Sequence, residues 1–362
     1  MSAAICRRLM ALYRTPGLAG ELPPADWEGL VRIGEATGLL ARLGTRLEAA
    51  DRLHQVPPAV RDHVVGAQRL VASYQRNIRW EVRQLRAALR PRSIPFALLK
   101  GAAYVMADLP AAQGRIFNDV DILVPEGRLA EAERALEVQG WVGTHRHPYD
   151  QRYYREWMHE LPPMEHVHRA TNLDVHHAIL PRTAASRPDP DRLWEAAQPL
   201  PDWPGVWVLG PEDMVLHAAA HLFLDGALEN GLRDLTDLDA LLRRFGEGAG
   251  FWRRLTDRAE VLGLTAPLGD ALHWCRTLLG TPVAEEAVGA LRGTGWERLR
   301  AKARDRLFAQ GLQPEHPLCG GAGNRTVRSL LYLRSHLLRM PWYRLIPHLA
   351  RKGLRPHSGE AV

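Results

Sequence analysis

The chain has 362 residues, of which 46% are hydrophobic and 24% are charged. These are ordinary values for a globular protein, and the length predicts two or three packed regions rather than a single core. The formal net charge of +6 comes mostly from dispersed arginines. It suits a phosphate-bearing partner, whereas the lack of a polybasic tail or a nucleic-acid-binding motif argues against a nucleic-acid substrate.

The cysteines and the lengths of the apolar runs indicate where in the cell the protein is located. Cys6, Cys275 and Cys319 are few, scattered and odd in number, which predicts neither a disulfide framework nor a cysteine-rich zinc site. The chain has no uninterrupted run of about 18 apolar residues, which is the length needed to cross a membrane. The start of the chain also lacks a signal-peptide core. We therefore expect a cytoplasmic protein with no membrane-inserted segment.

The first 92 residues have the apolar spacing of helices. From Val60 to Leu89 apolar residues recur mostly at intervals of three and four, which predicts one long amphipathic helix. Pro91 and Pro95 end this pattern, and the next six residues, 94–99, read as a short buried strand. Helices that precede a strand in this way are expected to support it.

A turn at Lys100 and Gly101 follows the strand and opens a helix. Strand, tight turn and helix N-terminus form an arrangement that binds anions, because free backbone amides face the turn. Lys100 adds a positive charge there. The pattern is common, so by itself it is weak support for a phosphate site.

The stretch from Ile116 to Val124 alternates two carboxylates with apolar residues, which predicts a buried strand. Asp119 and Asp121 share one face because they are two residues apart. An isolated Asp-x-Asp is more often a turn or a surface feature. Here the apolar neighbours predict burial, and two buried carboxylates repel one another unless a cation such as Mg²⁺ binds them.

A second predicted strand, residues 172–177, carries Asp174 and His176 on one face. Together with Asp119 and Asp121 it gives three carboxylates on neighbouring strands beside a glycine turn. Such a group is able to hold two Mg²⁺ on a triphosphate.

These motifs resemble a bacterial family of uncharacterised nucleotidyltransferases within the polymerase-β-like superfamily. The resemblance rests on the Leu-Lys-Gly turn, the Arg-x-x-Asn-Asp-Val-Asp-Ile-Leu-Val strand and the later Leu-Asp-Val-His, and it covers about residues 24–245. It implies an α+β fold in which a small mixed β-sheet core is embedded between N-terminal and C-terminal helical regions. It also implies transfer of a nucleotidyl group from a nucleoside triphosphate, with ATP expected, to a hydroxyl of a small molecule or peptide.

The resemblance also implies roles for individual residues. Asp119 and Asp121 would bind both metal ions, two Mg²⁺ with Mn²⁺ as the alternative, while Asp174 would bind the catalytic ion and assist deprotonation of the attacking group. Gly101 would let the triphosphate approach. Two departures are visible: the turn is Gly-Ala instead of Gly-Ser or Gly-Gly, and the gap from Gly101 to Asp119 exceeds the superfamily norm.

Basic residues are expected to replace the missing phosphate contact. Lys100 and Arg115 are the candidates in the core, and the alternative for Arg115 is a simple ion pair with one of the two strand aspartates. By resemblance, a later helix packs beside the nucleotide, which makes Arg233 a candidate for a phosphate or base contact. Its alternative is an intrahelical pair with Asp237.

Histidines and aromatic residues are concentrated between residues 145 and 168. We expect this segment to be a strand and loop that cover the site. The groove for a peptide acceptor would be lined by Tyr149, Tyr153, Tyr154 and Trp157. Glu165-His166-Val167-His168 lacks obvious third and fourth zinc ligands, so zinc is disfavoured there. His217 and His221, four apart on a helix, are expected in the core or lining the cleft.

The sequence predicts five regions: N-terminal helices (1–92), the nucleotidyltransferase core (93–181), a Pro-rich connector (182–210), C-terminal helices (211–356) and a flexible tail (357–362). The same carboxylates would serve attack at the γ-phosphate, so a kinase acting on a peptide natural product or a small molecule is one alternative. A non-catalytic nucleotide-binding or antitoxin-like module is another. The expected partners are a nucleoside triphosphate and an unidentified small-molecule or peptide acceptor.

Overall fold

The computed structural model describes residues 2–117, 119–224, 228, 230–291, 304–319 and 323–354. Asn118 of the predicted aspartate strand and the predicted tail, residues 357–362, lie outside the described residues. The described α-helices are α1 (Ser2–Arg14), α2 (Pro24–Ala36), α3 (Leu40–Ala49), α4 (Pro58–Leu89), α5 (Lys100–Met106), α6 (Leu129–Val138), α7 (Pro148–Arg152), α8 (Pro190–Ala196), α9 (Pro211–Leu224), α10 (Gly231–Gly246), α11 (Phe251–Leu262), α12 (Thr265–Trp274), α13 (Glu285–Ala290), α14 (304–311), α15 (Gly323–Arg339) and α16 (Trp342–Leu354).

One mixed sheet organises the strands of the described chain. Its strands are β1 (Phe96–Leu98), β2 (Asp119–Leu123), β3 (Trp141–Gly143), β4 (Met164–His166), β5 (Arg169–His176), β6 (Gln198–Pro199) and β7 (Val206–Val208). They lie in the order β3-β4-β5-β2-β1-β7-β6, so β2 is central. β2 runs parallel to β5 and antiparallel to β1. Apart from Asp119, both of these inner strands, β1 and β2, are buried throughout, as their apolar sequences require.

The sheet and its flanking helices confirm the predicted α+β architecture. The sheet also extends beyond residue 181, where the sequence analysis ended the core. β7 pairs in parallel with β1, and β6 pairs with β7 at the edge. Both strands are too short, at three and two residues, to show an alternating pattern, which is why only a connector was predicted there.

Two hydrophobic clusters hold the helices in place. The main core joins the sheet to the C-terminal helices, with Leu98 and Ile122 in the same cluster as Leu216 of α9 and Leu241 of α10. A second cluster, built mainly from α1, α2 and α3, also includes Leu232 of α10. α10 therefore belongs to both clusters and connects the N-terminal helices to the core.

The structure corrects the expectation drawn from the cysteines. Cys6 of α1 and Cys319 form a disulfide, with their Cα atoms 5.3 Å apart although 313 positions separate them in sequence. Spacing along the chain carries no sign of this pair, because it depends on the C-terminal segment packing against α1. Cys275 is free and buried. None of the helices in the described ranges combines the length and the apolarity that crossing a membrane requires.

Candidate active site

The sheet brings together the three predicted carboxylates, Asp119, Asp121 and Asp174, which we call the carboxylate centre. Asp121 on β2 pairs in register with Asp174 on β5 because the two strands are parallel neighbours. One carboxylate oxygen from each of the three residues lies within 4.8 Å of the others. Asp121 is buried, Asp174 is partly buried and Asp119 is accessible at the edge. The donors are all hard oxygens, the ligands that Mg²⁺ and Mn²⁺ prefer, so the residues present fit such ions.

Asp121 is the neutralised member of the centre. Its Oδ1 accepts hydrogen bonds from Lys100 Nζ at 3.1 Å and from His176 Nε2 at 3.0 Å. Burial alone would raise the pKa of Asp121, but Lys100 and His176 hold it well below its usual range. Asp121 is therefore ionised, and its charge is balanced from within the protein.

The other two carboxylates have no such compensation. Burial, with the charges of Asp121 and Glu160, raises the pKa of Asp174 to about 7. Although Asp119 is accessible, protein atoms crowd it, and this partial burial together with Asp121 also raises its pKa. A cation held between these oxygens would reverse both shifts, since it favours the ionised form.

The glycine turn differs from the expected phosphate cradle in its packing. Lys100 adopts a positive φ of 43° at the start of α5, and its ammonium points to Asp121. A Cβ atom at Gly101 would overlap the ring of Phe117. This close approach explains why glycine is needed at the turn, because the ring of Phe117 fills the space that a side chain would take.

Arg115 lies in a buried arginine network, which we define as Arg42, Arg115, Asp234 and Asp237. Its Nε donates to Asp237 Oδ2 at 3.0 Å and its second amino group donates to Asp234 Oδ1 at 3.2 Å. Burial lowers the pKa of Arg115, but these two carboxylates raise it further than burial lowers it. Neither Asp119 nor Asp121 is the partner, although Arg115 is near enough to lower the pKa of Asp119.

Arg233 is a neighbour of this network. Its Nε pairs with Asp234 Oδ1 at 3.1 Å, and a quarter of its side chain is exposed. The predicted alternative, a pair with Asp237, is not formed, since Asp237 binds Arg42 and Arg115 instead. Burial and the charge of Arg115 lower the pKa of Arg233. The structure thus brings Arg115 and Arg233 together around Asp234.

Arg42 was missed by the sequence analysis. It is buried on α3, and it donates to the carbonyl oxygens of Ala111 and Gln113 and to the Thr236 hydroxyl, besides pairing with Asp237 at 2.7 Å. The available signal was an arginine inside the apolar run Leu39-Leu40-Ala41-Arg42-Leu43, because a charge on an apolar face implies a buried partner.

The aromatic segment lies beside the carboxylates, but it is helical. α7 continues into a π-helical turn, Tyr153–Trp157, whereas the predicted strand is present only later in the segment, as β4. The ring of Trp157 contacts those of Tyr149 and Tyr153 edge to face. Burial and the charges of Glu160 and Asp174 are among the causes that raise the pKa of Tyr154, which places that phenol near the centre.

Histidines of α9 border the same region. His217 is buried and His221 partly so. Burial, with Lys100, lowers the pKa of His217, while Lys100, with burial, lowers that of His221. Both are therefore neutral and positioned near Lys100, which agrees with the expectation of core or cleft residues.

A mixed sheet between helical regions, with carboxylates gathered on its central strands, is the architecture of a nucleotidyltransferase. The chain belongs to the family described as uncharacterised nucleotidyltransferase, whose model matches residues 23–280. This confirms the resemblance and extends it past residue 245. No curated protein and no solved structure matches the chain significantly. Family membership supports a transferase with a general role in nucleotidyl transfer.

Proposed function

We propose that the protein is a Mg²⁺-dependent nucleotidyltransferase that transfers a nucleotidyl group from ATP to a hydroxyl of a small molecule or peptide. The observation that carries this proposal is the register of β2 and β5, which gathers the carboxylate centre within 4.8 Å. Two divalent ions held there would neutralise charge on the triphosphate and on the attacking and leaving oxygens. A cytoplasmic location, where nucleoside triphosphates are held, is part of the proposal, and it implies that the Cys6–Cys319 pair is kept reduced there.

The reaction is an in-line displacement at the α-phosphorus. The acceptor oxygen forms a bond to that phosphorus, the bond to the β-phosphate oxygen breaks, and pyrophosphate leaves with its electron pair. Asp174 is the proposed proton acceptor, because its carboxylate is the least compensated of the centre. Asp119 and Asp121 would hold the divalent ions, which would supply the positive charge that orients the triphosphate.

Basic residues are proposed to contact the phosphates. Lys100 Nζ lies 3.1 Å from Asp121 Oδ1, and this ion pair would hold the ammonium group next to the reacting phosphate. Arg115 and Arg233 share Asp234 as a partner, so a polyphosphate can compete for their remaining donors. Gly101 is proposed to let the backbone of the turn approach the triphosphate, while the Phe117 ring fills the space next to its Cα atom.

The acceptor is proposed to bind against the aromatic segment. Tyr153, Tyr154 and Trp157 form a chain of edge-to-face contacts next to Asp174. Arg344 of α16 lies 5.4 Å from the centre of the Trp157 ring. Rings with phenol groups suit a peptide, because they offer apolar area and hydrogen bonds together.

Separately labelled ATP tests the function. The protein is incubated with Mg²⁺, ATP labelled at the α- or the γ-position, and an extract of the cells that produce it. We expect label from the α-position on an acceptor and none in the Asp119→Asn, Asp121→Asn variant. The matched control is Asp189→Asn, Asp191→Asn, a second Asp-x-Asp that is exposed and begins α8, where asparagine still caps the helix.

The other outcomes identify the alternatives. Label from the γ-position alone would make the protein a kinase that uses the same carboxylates. Nucleotide binding without any transfer that depends on the aspartates would support a non-catalytic binding module. Transfer that survives in the double variant would contradict both catalytic assignments.

A further inference from the structure

A second group of potential metal ligands lies next to the carboxylate centre. His159, Glu160 and His176, which we call the histidine cluster, each place one ligand atom within 4.8 Å of the other two. His159 and His176 are buried, with 6% and 3% of their surfaces exposed. Glu160 and His176 face each other across an antiparallel bridge that joins the segment after the π-helical turn to the end of β5. Two elements of the fold therefore meet at this cluster.

The hydrogen bond between His176 and Asp121 fixes the ring of His176. A carboxylate can only accept, so the proton of the neutral imidazole is on Nε2, which lies 3.0 Å from Asp121 Oδ1. The other nitrogen, Nδ1, then presents a lone pair. It is buried and has no hydrogen-bond partner in the part of the chain that the structure describes, and Glu160 Oε2 lies 3.4 Å from it. With the imidazole neutral, as in a metal complex, two electron-rich atoms face each other at this point. Burial lowers the pKa of His176, but Asp121 and Glu160 raise it further, so a metal ion would take the place of a proton on Nδ1.

The separation of those atoms suits a shared metal ion. Ligand atoms at about 2.1 Å from a tetrahedral Zn²⁺ are about 3.4 Å apart. This equals the observed distance between His176 Nδ1 and Glu160 Oε2. His159 supplies the third ligand, because one of its ring nitrogens lies within 4.8 Å of the ligand atoms of Glu160 and His176. Its Nδ1 is buried and has no hydrogen-bond partner among the described residues. Its ring centre is 5.2 Å from that of His176.

We propose that the histidine cluster binds one divalent transition-metal ion of the Zn²⁺ type through two imidazole nitrogens and the Glu160 carboxylate. The Asp121–His176 pair is the carboxylate–histidine–metal arrangement that orients a ligand ring. Imidazole ligands favour Zn²⁺ and its neighbours, whereas the oxygens of the carboxylate centre favour Mg²⁺. Three protein ligands leave a position for water. The ion would fasten the segment after the aromatic turn to β5, and the proposal is independent of the nucleotidyl transfer proposed above.

Cobalt spectroscopy on untagged, metal-stripped, full-length protein tests the site. We expect one equivalent of Co²⁺ to give the intense visible absorption of a tetrahedral, nitrogen-containing site. Zn²⁺ should displace it, and a large excess of Mg²⁺ should not. Binding should weaken at least tenfold in both His159→Ala and Glu160→Gln, because even the loss of a group that only orients a metal ligand costs about 10-fold to 100-fold in affinity.

Matched controls separate this site from its neighbours. His168→Ala and Glu165→Gln remove exposed residues of the same types and should keep the absorption. Asp119→Asn removes a ligand of the carboxylate centre and should keep it too. Wild-type protein without the band, displacement by Mg²⁺, or unchanged binding in His159→Ala would overturn the proposal.

Circular dichroism shows whether each variant folds. Even if a variant does not fold, the Co²⁺ titration of the wild-type protein shows whether the site exists. If the wild-type protein binds no cobalt, a proton on His176 Nδ1 that is shared with Glu160 would account for the short distance between these atoms. Failure of nucleotidyl transfer appears in the labelling experiment and leaves the cobalt band unchanged, so the two proposals fail separately.

Discussion

The carboxylate centre and the arginine network are neighbouring charged regions with opposite balances. In the arginine network, Asp237 contacts both arginines and Asp234 contacts one of them, so buried charge is matched within the protein. In the carboxylate centre only Asp121 is matched, and the pKa values of Asp119 and Asp174 are raised. Paired charges of opposite sign connect helices and strands, whereas carboxylates without a paired cation favour the binding of a cationic ligand. The first region therefore explains the docking of α10, and the second is where we propose that the metal ions bind.

The largest effect should come from removing an unmatched carboxylate. We expect Asp174→Asn to lower the rate of labelled transfer by on the order of 10³-fold, because a metal ligand and the proton acceptor are lost. Its thermal midpoint without Mg²⁺ should stay the same or rise, because the substitution relieves repulsion with Asp121. A variant that is inactive because it has unfolded would contradict this assignment of Asp174.

Removing a matched charge should affect stability instead. We expect Arg42→Leu to lower the free energy of unfolding by about 3 kcal/mol, because Asp237 and two carbonyl oxygens lose a buried donor. Urea denaturation measures the change. The control is Arg32→Leu, whose pair with Glu28 is exposed on α2 and should contribute less than about 0.5 kcal/mol. Equal effects of the two substitutions would show that the network is not a structural element.

A substitution in the Lys100-Gly101 turn should change the free energy of unfolding by a smaller amount. Gly101→Ala should cost about 2 kcal/mol of unfolding free energy, since the new methyl group collides with the Phe117 ring. Gly66→Ala is the control, because nothing lies within 4 Å of its added atom on the exposed face of α4, and alanine there should stabilise the helix. If Gly101→Ala kept full stability but lost nucleotide binding, glycine would be required for the approach of the triphosphate and not for packing against Phe117.

The same contrast explains what the sequence could reveal. The carboxylate centre was predictable because β2 and β5 carry alternating patterns, and alternation fixes the face on which Asp121 and Asp174 lie. Only their pairing in register required the fold or a family resemblance. β6 and β7 escaped prediction because strands of two and three residues have no period.

The arginine network and the histidine cluster were not predictable in this way. Arg42 and Asp237 are far apart in sequence, and their contact arises only when α3 packs near α10. Sequence spacing suggested Arg233 with Asp237, but the buried Arg42 and Arg115 take that carboxylate. Likewise, the adjacent His159 and Glu160 acquire meaning only when the chain folds back onto β5.

The smallest effect concerns pH and the neutral histidines beside Lys100. Burial and Lys100 keep the pKa of His217 well below its usual value, so the folded protein does not protonate it near neutral pH. The unfolded chain takes up that proton near pH 6.5. Stability from this group is therefore present above about pH 6.5 and is lost as the pH falls. Each such histidine contributes a slope of up to about 1.4 kcal/mol per pH unit.

Urea denaturation from pH 7.5 to pH 5 measures this slope. We expect His217→Gln to flatten the decline by up to one proton's contribution, because glutamine does not titrate. The matched variant is His63→Gln, which makes the same substitution at an exposed histidine beside Glu35. An unaltered slope in His217→Gln would mean that His217 is protonated in the folded protein. Lys100 would then face a positive imidazolium, and Asp121 alone would have to compensate both charges.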